Sequence, residues 1–91
     1  MIGVTERARQ ELKRLLFAKV DMPQARLRLI SGDQGELGLG IDIESPRDEI
    51  VEYKGSGVLV VEHELATSLK GVILDVDDTP EGPQLVIAEG L

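Results

Sequence analysis

Three short stretches of this 91-residue chain carry side chains that could do chemistry. The first is GDQG, residues 32–35, a small glycine-flanked turn that presents Asp33 and Gln34 between two alternating runs. The second is Glu62-His63-Glu64, which holds the only histidine. The third runs Asp75-Val76-Asp77-Asp78-Thr79-Pro80-Glu81-Gly82 and is rich in side-chain oxygen. Imidazole is the commonest protein ligand for metals, and carboxylates suit hard cations. Asp33, His63 and Asp75 are therefore the candidate metal ligands. Each also has a plainer role, and that role outweighs the ligand role. An Asp in a tight turn bonds its own backbone. Acids beside His63 suit the start of a short helix. The third stretch lacks the spacing of a calcium loop and reads as an acidic surface turn.

The same survey finds no catalytic constellation. The chain has no cysteine, so it has neither disulfides nor thiol chemistry. Ser31, Ser45, Ser56 and Ser68 lack a G-x-S-x-G setting, and one histidine would have to serve any triad. The glycines form neither a G-x-G-x-x-G nor a phosphate loop with its lysine. The expectation is a protein that is not an enzyme.

Charge narrows the partners. The chain carries a formal charge of −7, divided as +4 over residues 1–28 and −11 over residues 29–91. A net anion is repelled by phosphate, and only Phe17 and Tyr53 are aromatic, so nucleic acid is not expected as a partner. No run of about 18 apolar residues marks a membrane span. The first sixteen residues turn charged too soon for a secretory signal. The expected location is the cytoplasm.

The elements that must position these residues follow from periodicity. Residues 1–91 are expected to form one domain. Thr5 is a good helix N-cap, with Glu6 in the first turn. Ala8, Leu12, Leu15, Leu16 and Val20 then recur at helical spacing, and Pro23 stops the helix. From Gln24 the period becomes two. Leu27 and Leu29 face one way, Arg26 and Arg28 the other. After GDQG, Leu37, Leu39, Ile41 and Ile43 alternate with Gly38, Gly40, Asp42 and Glu44, which reads as a half-buried strand. Glycines on its outer side leave room for a partner backbone, so Leu37, Gly38, Leu39 and Gly40 are candidate contact residues. Further strands are expected at EIVEY, VLVV, VILDV and QLVIA, with turns at SPRDE, KGSG and across all of DDTPEGP. A short helix covers EHELATSLKG and ends at Gly71. The fold class is therefore mainly β with an α+β character: about six strands, an N-terminal helix and one short helix. Short links favour an antiparallel or mixed sheet.

The order of these pieces resembles a known family. VTERARQELKRLL (Val4–Leu16), then Leu27–Gly35, Gly57–Glu62, Leu69–Gly71, and Ile73 with Asp75, are together similar to the HesB/IscA-like, A-type iron–sulfur cluster assembly proteins. The likeness rests on their order and spacing across nearly the whole chain. It implies a compact β-rich domain, found as a dimer or higher oligomer. It also implies a cysteine in the glycine-bounded turn and a Cys-Gly-Cys motif near the C-terminus. Here the turn holds Asp33 and Gln34, and the sequence reaches AEGL without that motif. Cluster iron is held by soft thiolates. No iron–sulfur cluster or other cofactor is therefore expected, and the family's cluster chemistry does not carry over. Asp75 matches a family position that is not a thiolate ligand, which favours a structural role.

Two functional readings follow. One is a non-catalytic interaction or accessory module, with an unknown protein partner or a second copy of itself. The other is an iron-binding or other metal-binding protein whose Asp33, His63 and Asp75 converge in space.

Overall fold

A computed structural model of the chain describes residues 2–19, 22–34 and 36–89. The elements in chain order are β1 (Gly3–Val4), α1 (Glu6–Lys19), β2 (Ala25–Ser31), β3 (Leu37–Ile43), β4 (Asp48–Tyr53), β5 (Ser56–Glu62), α2 (His63–Ser68), β6 (Val72–Thr79) and β7 (Gly82–Glu89). The mainly β, α+β expectation holds, and both helices stand where the periodicity places them. The extra strand is β1, too short to leave a period in the sequence.

Two sheets form, each of mixed direction. The first has the order β1-β6-β7, with β1 parallel to β6 and β7 antiparallel to it. The second has the order β3-β2-β5-β4, with β2 parallel to β5 and the outer pairs antiparallel. Helix α1 packs between them. Its Ala8, Leu12 and Leu16, four residues apart, are buried against Leu27, Leu29, Val51, Leu59, Val61 and Leu74. That spacing brings all three side chains to one side of the helix. Val20, also expected on that side, lies outside the described residues. Glu11 is buried beside this row because its carboxylate takes two hydrogen bonds from Arg14, at 2.9 and 2.5 Å. Arg14 holds the Glu11 carboxyl below its ordinary range, against the opposing push of burial.

The turns are tighter than the sequence suggests. Lys54 (φ 51°) and Gly55 (φ 81°) form a two-residue hairpin between β4 and β5, where both residues must take positive φ. The expectation that DDTPEGP is a turn throughout is corrected. Asp77 and Asp78 lie within β6 and Pro83 within β7, so only Pro80 and Glu81 make the bend. Pairing to β7 carries β6 through to Thr79. Pro83 is tolerated because β7 is an edge strand and needs fewer N–H donors.

A second correction concerns β3. The period-two reading predicts a half-buried strand. Its apolar residues do lie on the core side of the sheet, opposite Ala25, Leu27 and Leu29. Yet Leu39, Ile41 and Ile43 are 37%, 53% and 57% exposed. The reason is cover: α1 and the first sheet bury β2 and β5 but stop short of the edge strand.

Arg28 fixes the order of the second sheet. β3 and β4 run in the same direction at opposite edges, yet only residues 44–47 join them. Five Cα steps reach at most about 18 Å, and three strand spacings alone need about 14 Å before any run back along the strands, so this link has little slack. Arg28 bonds both ends of it. It donates to Asp48 through two nitrogens, at 2.9 and 2.6 Å, and to Asp42 and the Ile43 carbonyl at 3.0 and 3.1 Å. The Asp48 side chain is fully shielded from solvent and also accepts from the Ser45 N–H at 2.7 Å. The bond from Arg28 lowers the Asp48 pKa, with the Ser45 backbone bond adding to it. A carboxyl depressed in the folded state gives stability that is present above its unfolded pKa and lost as pH falls through the folded value. Arg28→Met is expected to lower the unfolding free energy by about 2–3 kcal/mol, since it leaves a shielded carboxylate without its partner. Urea unfolding measures this. The same variant should show a shallower loss of stability below about pH 4 than the parent.

Candidate functional site

The GDQG turn joins β2 to β3. The Gly32 N–H donates to the Glu36 carbonyl at 2.8 Å, and the Gln34 N–H donates to the Glu36 carboxylate at 3.0 Å. Glu36 therefore supplies a side chain that holds the turn, in addition to the backbone-bonding role the sequence reading gives to Asp33. The Glu36 carboxylate lies against Gly32, where an added Cβ would come within 2.0 Å of Oε1, so a side chain at position 32 would displace that carboxylate from the turn. Asp33 and Gln34 are exposed at the tip.

His63 opens α2 and is exposed. Its Nδ1 lies 3.3 Å from a Glu49 carboxylate oxygen on β4. Glu62 is the N-cap, and its carboxylate accepts from the Leu65 N–H at 3.4 Å. The acids flanking His63 thus serve the helix start, as the dipole favours. β2 and β5 are parallel neighbours, so GDQG and α2 follow their strands at the same end of the second sheet.

Asp75 lies in the other sheet, at the middle of β6, and is tied to the start of α1. Thr5 Oγ1 donates to Asp75 Oδ1 at 2.7 Å and accepts from the Ala8 N–H at 3.1 Å. The Thr5 N–H donates to the Leu74 carbonyl at 3.0 Å. Thr5 is thus a true N-cap, oriented by Asp75. The hydroxyl bond from Thr5, followed by the Val76 N–H, lowers the Asp75 pKa. Further along β6, Arg7 pairs with Asp78 at 2.5 Å.

The three candidate ligands are not brought together. Among the described residues, no group of three His, Cys, Asp or Glu side chains could hold a metal ion. The exposed apolar row of β3 is the other candidate feature. Leu37 is partly buried, and Gly38 and Gly40 lie on the opposite side of the strand from it. Beside the row, shallow clefts of about 230 and 110 Å³ run along Leu15, Leu27, Leu39 and Ile41, and along Leu29, Leu37, Leu85 and Ile87.

Two solved structures share this architecture. A crystal structure of IscA with the 2Fe-2S cluster matches over 98% of this chain and 85% of its own, with a TM-score of 0.64 and 22% identity. Escherichia coli SufA, involved in biosynthesis of iron-sulfur clusters, matches over 97% and 84%, with a TM-score of 0.70 and 16% identity. The fold is that of IscA and SufA. No protein-family model matches the sequence, and neither does any curated protein sequence. The likeness therefore lives in the backbone path more than in residue identity. Measured against a cluster of the kind the IscA structure holds, the donor set of this chain does not fit. It has no thiol at any position, and among the described residues its carboxylates and single imidazole form no convergent group.

The Thr5–Asp75 tie yields a test of the structural role of Asp75. Thr5→Ala should cost about 1 kcal/mol through loss of the cap. Asp75→Ala should destabilise the parent, but distinctly less in the Thr5→Ala background. Urea unfolding of the four proteins in this cycle gives the coupling.

Proposed function

We propose that this chain is a non-catalytic contact module: an IscA/SufA-fold domain without cluster ligands that acts by binding protein. The observation that carries this reading is the retained fold beside a turn built from Gly32, Asp33, Gln34 and Glu36, with no thiol in the chain. Thiolate is the donor that cluster iron requires, and carboxylate is too hard a ligand to replace it. The exposed apolar row on β3 offers the surface for contact, since an apolar patch on an edge strand is the usual template for pairing. Iron–sulfur cluster assembly, the setting named for SufA, is where a partner should first be sought. The metal-binding reading, with Asp33, His63 and Asp75 as ligands, is not favoured, because they stand on separate elements: Asp33 at an exposed turn tip, His63 beside Glu49, and Asp75 tied to Thr5.

Metal analysis and a visible spectrum of untagged protein, purified without oxygen, test this. The expected sample is colourless, with far less than one metal ion per chain. Near-stoichiometric iron or another divalent metal, lost on Asp33→Ala or His63→Ala, would overturn the proposal.

A further inference from the structure

We propose that β3 pairs antiparallel with the β3 of a second copy, about a two-fold axis through Gly40. This deepens the contact reading above and rests on it.

β3 is an edge strand whose core-side residues Leu39, Ile41 and Ile43 are left exposed. Its sequence, LGLGIDI, is self-complementary in one register. Pairing centred on Gly40 sets Leu37 opposite Ile43, Leu39 opposite Ile41, and Gly38 opposite Asp42. Every apolar residue meets an apolar one, and the single charge meets a glycine. Directly opposed apolar pairs stabilise a sheet, and opposed like charges destabilise it. Centring on Leu39 instead brings Glu36 opposite Asp42. Centring on Ile41 puts Leu37 opposite Ser45. Only the Gly40 register uses all seven strand residues.

The glycines point the same way. A Cβ on Gly38 would meet nothing within 4 Å, so the chain's own packing gives no reason for glycine there. Glycine in a strand interior commonly marks the close approach of another backbone. At Gly40, the Ile30 side chain occupies the space instead, with its Cδ1 2.6 Å from where a Cβ would sit. Ile30 is 47% exposed. When Gly40 faces Gly40 of a second copy, the two Ile30 side chains meet across the glycines. Leu39 and Ile41 meet their counterparts on the other side, so the joint is apolar on both. Asp42 shares the Arg28 charge with Asp48, and the register keeps it away from a like charge by setting it opposite Gly38. The −7 charge of each copy opposes association only at long range, where salt screens it. The pairing should therefore tighten as salt is added.

Sedimentation of the full chain across a wide concentration range tests the dimer. The parent should be dimeric, and Ile41→Lys should weaken association at least about tenfold by placing a charge in the apolar joint. Phe17→Ser, on an exposed α1 side chain, should leave association unchanged. Register is tested separately, because a chain without cysteine reports any thiol added to it. Leu39→Cys mixed with Ile41→Cys should form the mixed disulfide faster than either variant links to itself. A monomeric parent, or a dimer broken by Phe17→Ser and not by Ile41→Lys, would overturn the proposal. So would Leu39→Cys linking to itself faster than to Ile41→Cys. A monomeric, metal-free chain removes the homodimer but leaves the contact reading standing. Near-stoichiometric metal removes the contact reading whatever the state of association.

Discussion

The second sheet depends on one guanidinium. Arg28 sits on β2 and bonds Asp42 and Ile43 at the end of β3 and Asp48 at the start of β4. The link between those strands is too short to wander, so the ion pair and the turn bonds around Ser45 fix where β4 begins. Once β4 lies on β5, β3 is committed to the opposite edge. The uncovered row of Leu39, Ile41 and Ile43 is a consequence of that order. Helix α1 offers one apolar side, and it is used up on β2, β4, β5 and β6. The Thr5–Asp75 tie holds the start of that helix on the first sheet, so α1 is not free to shift towards β3.

Seen this way, the surface and the missing chemistry belong together. The turn that the resemblance associates with a thiolate closes here through Glu36, whose carboxylate bonds backbone inside the loop. Asp33 is left at the tip with no convergent donor near it among the described residues. The acids that look most like a metal site are mostly committed to structure. Asp75 orients a helix cap, Asp78 pairs with Arg7, and Glu62 caps α2. What the fold leaves unused is apolar surface on an edge strand, which suits association better than it suits a reaction.

Much of this was legible in the sequence, and the failures have physical causes. α1 could be read because its cap, first-turn acid and apolar spacing all agree. Six strands could be read because β-branched and leucine residues alternate between turn residues. β1 could not, since two residues carry no period and it forms only because β6 accepts it. The burial of β3 could not either: alternation shows which side of a strand faces the core, but not how far the core extends. The ends of β6 and β7 ran past their Asp and Pro residues because pairing outweighed local turn preference. At the candidate site, the structural role of Asp75 was legible from the family pattern. The role of Glu36 was not, although an acid placed two residues after Gln34 is positioned to accept from that turn's backbone. Arg28 reads in sequence as an outward basic residue, and only the pairing reveals that two acids converge on it.

The central claim is that the β3 edge, and not a metal centre, is the working part of this molecule. Backbone hydrogen–deuterium exchange of the intact chain, measured at low and at high protein concentration, tests it most directly. The account predicts that protection rises with concentration at Leu37, Leu39 and Ile41 while β6 and β7 stay unchanged. Unchanged exchange along β3, with protection appearing instead around Asp33 and His63 when divalent metal is added, would contradict it.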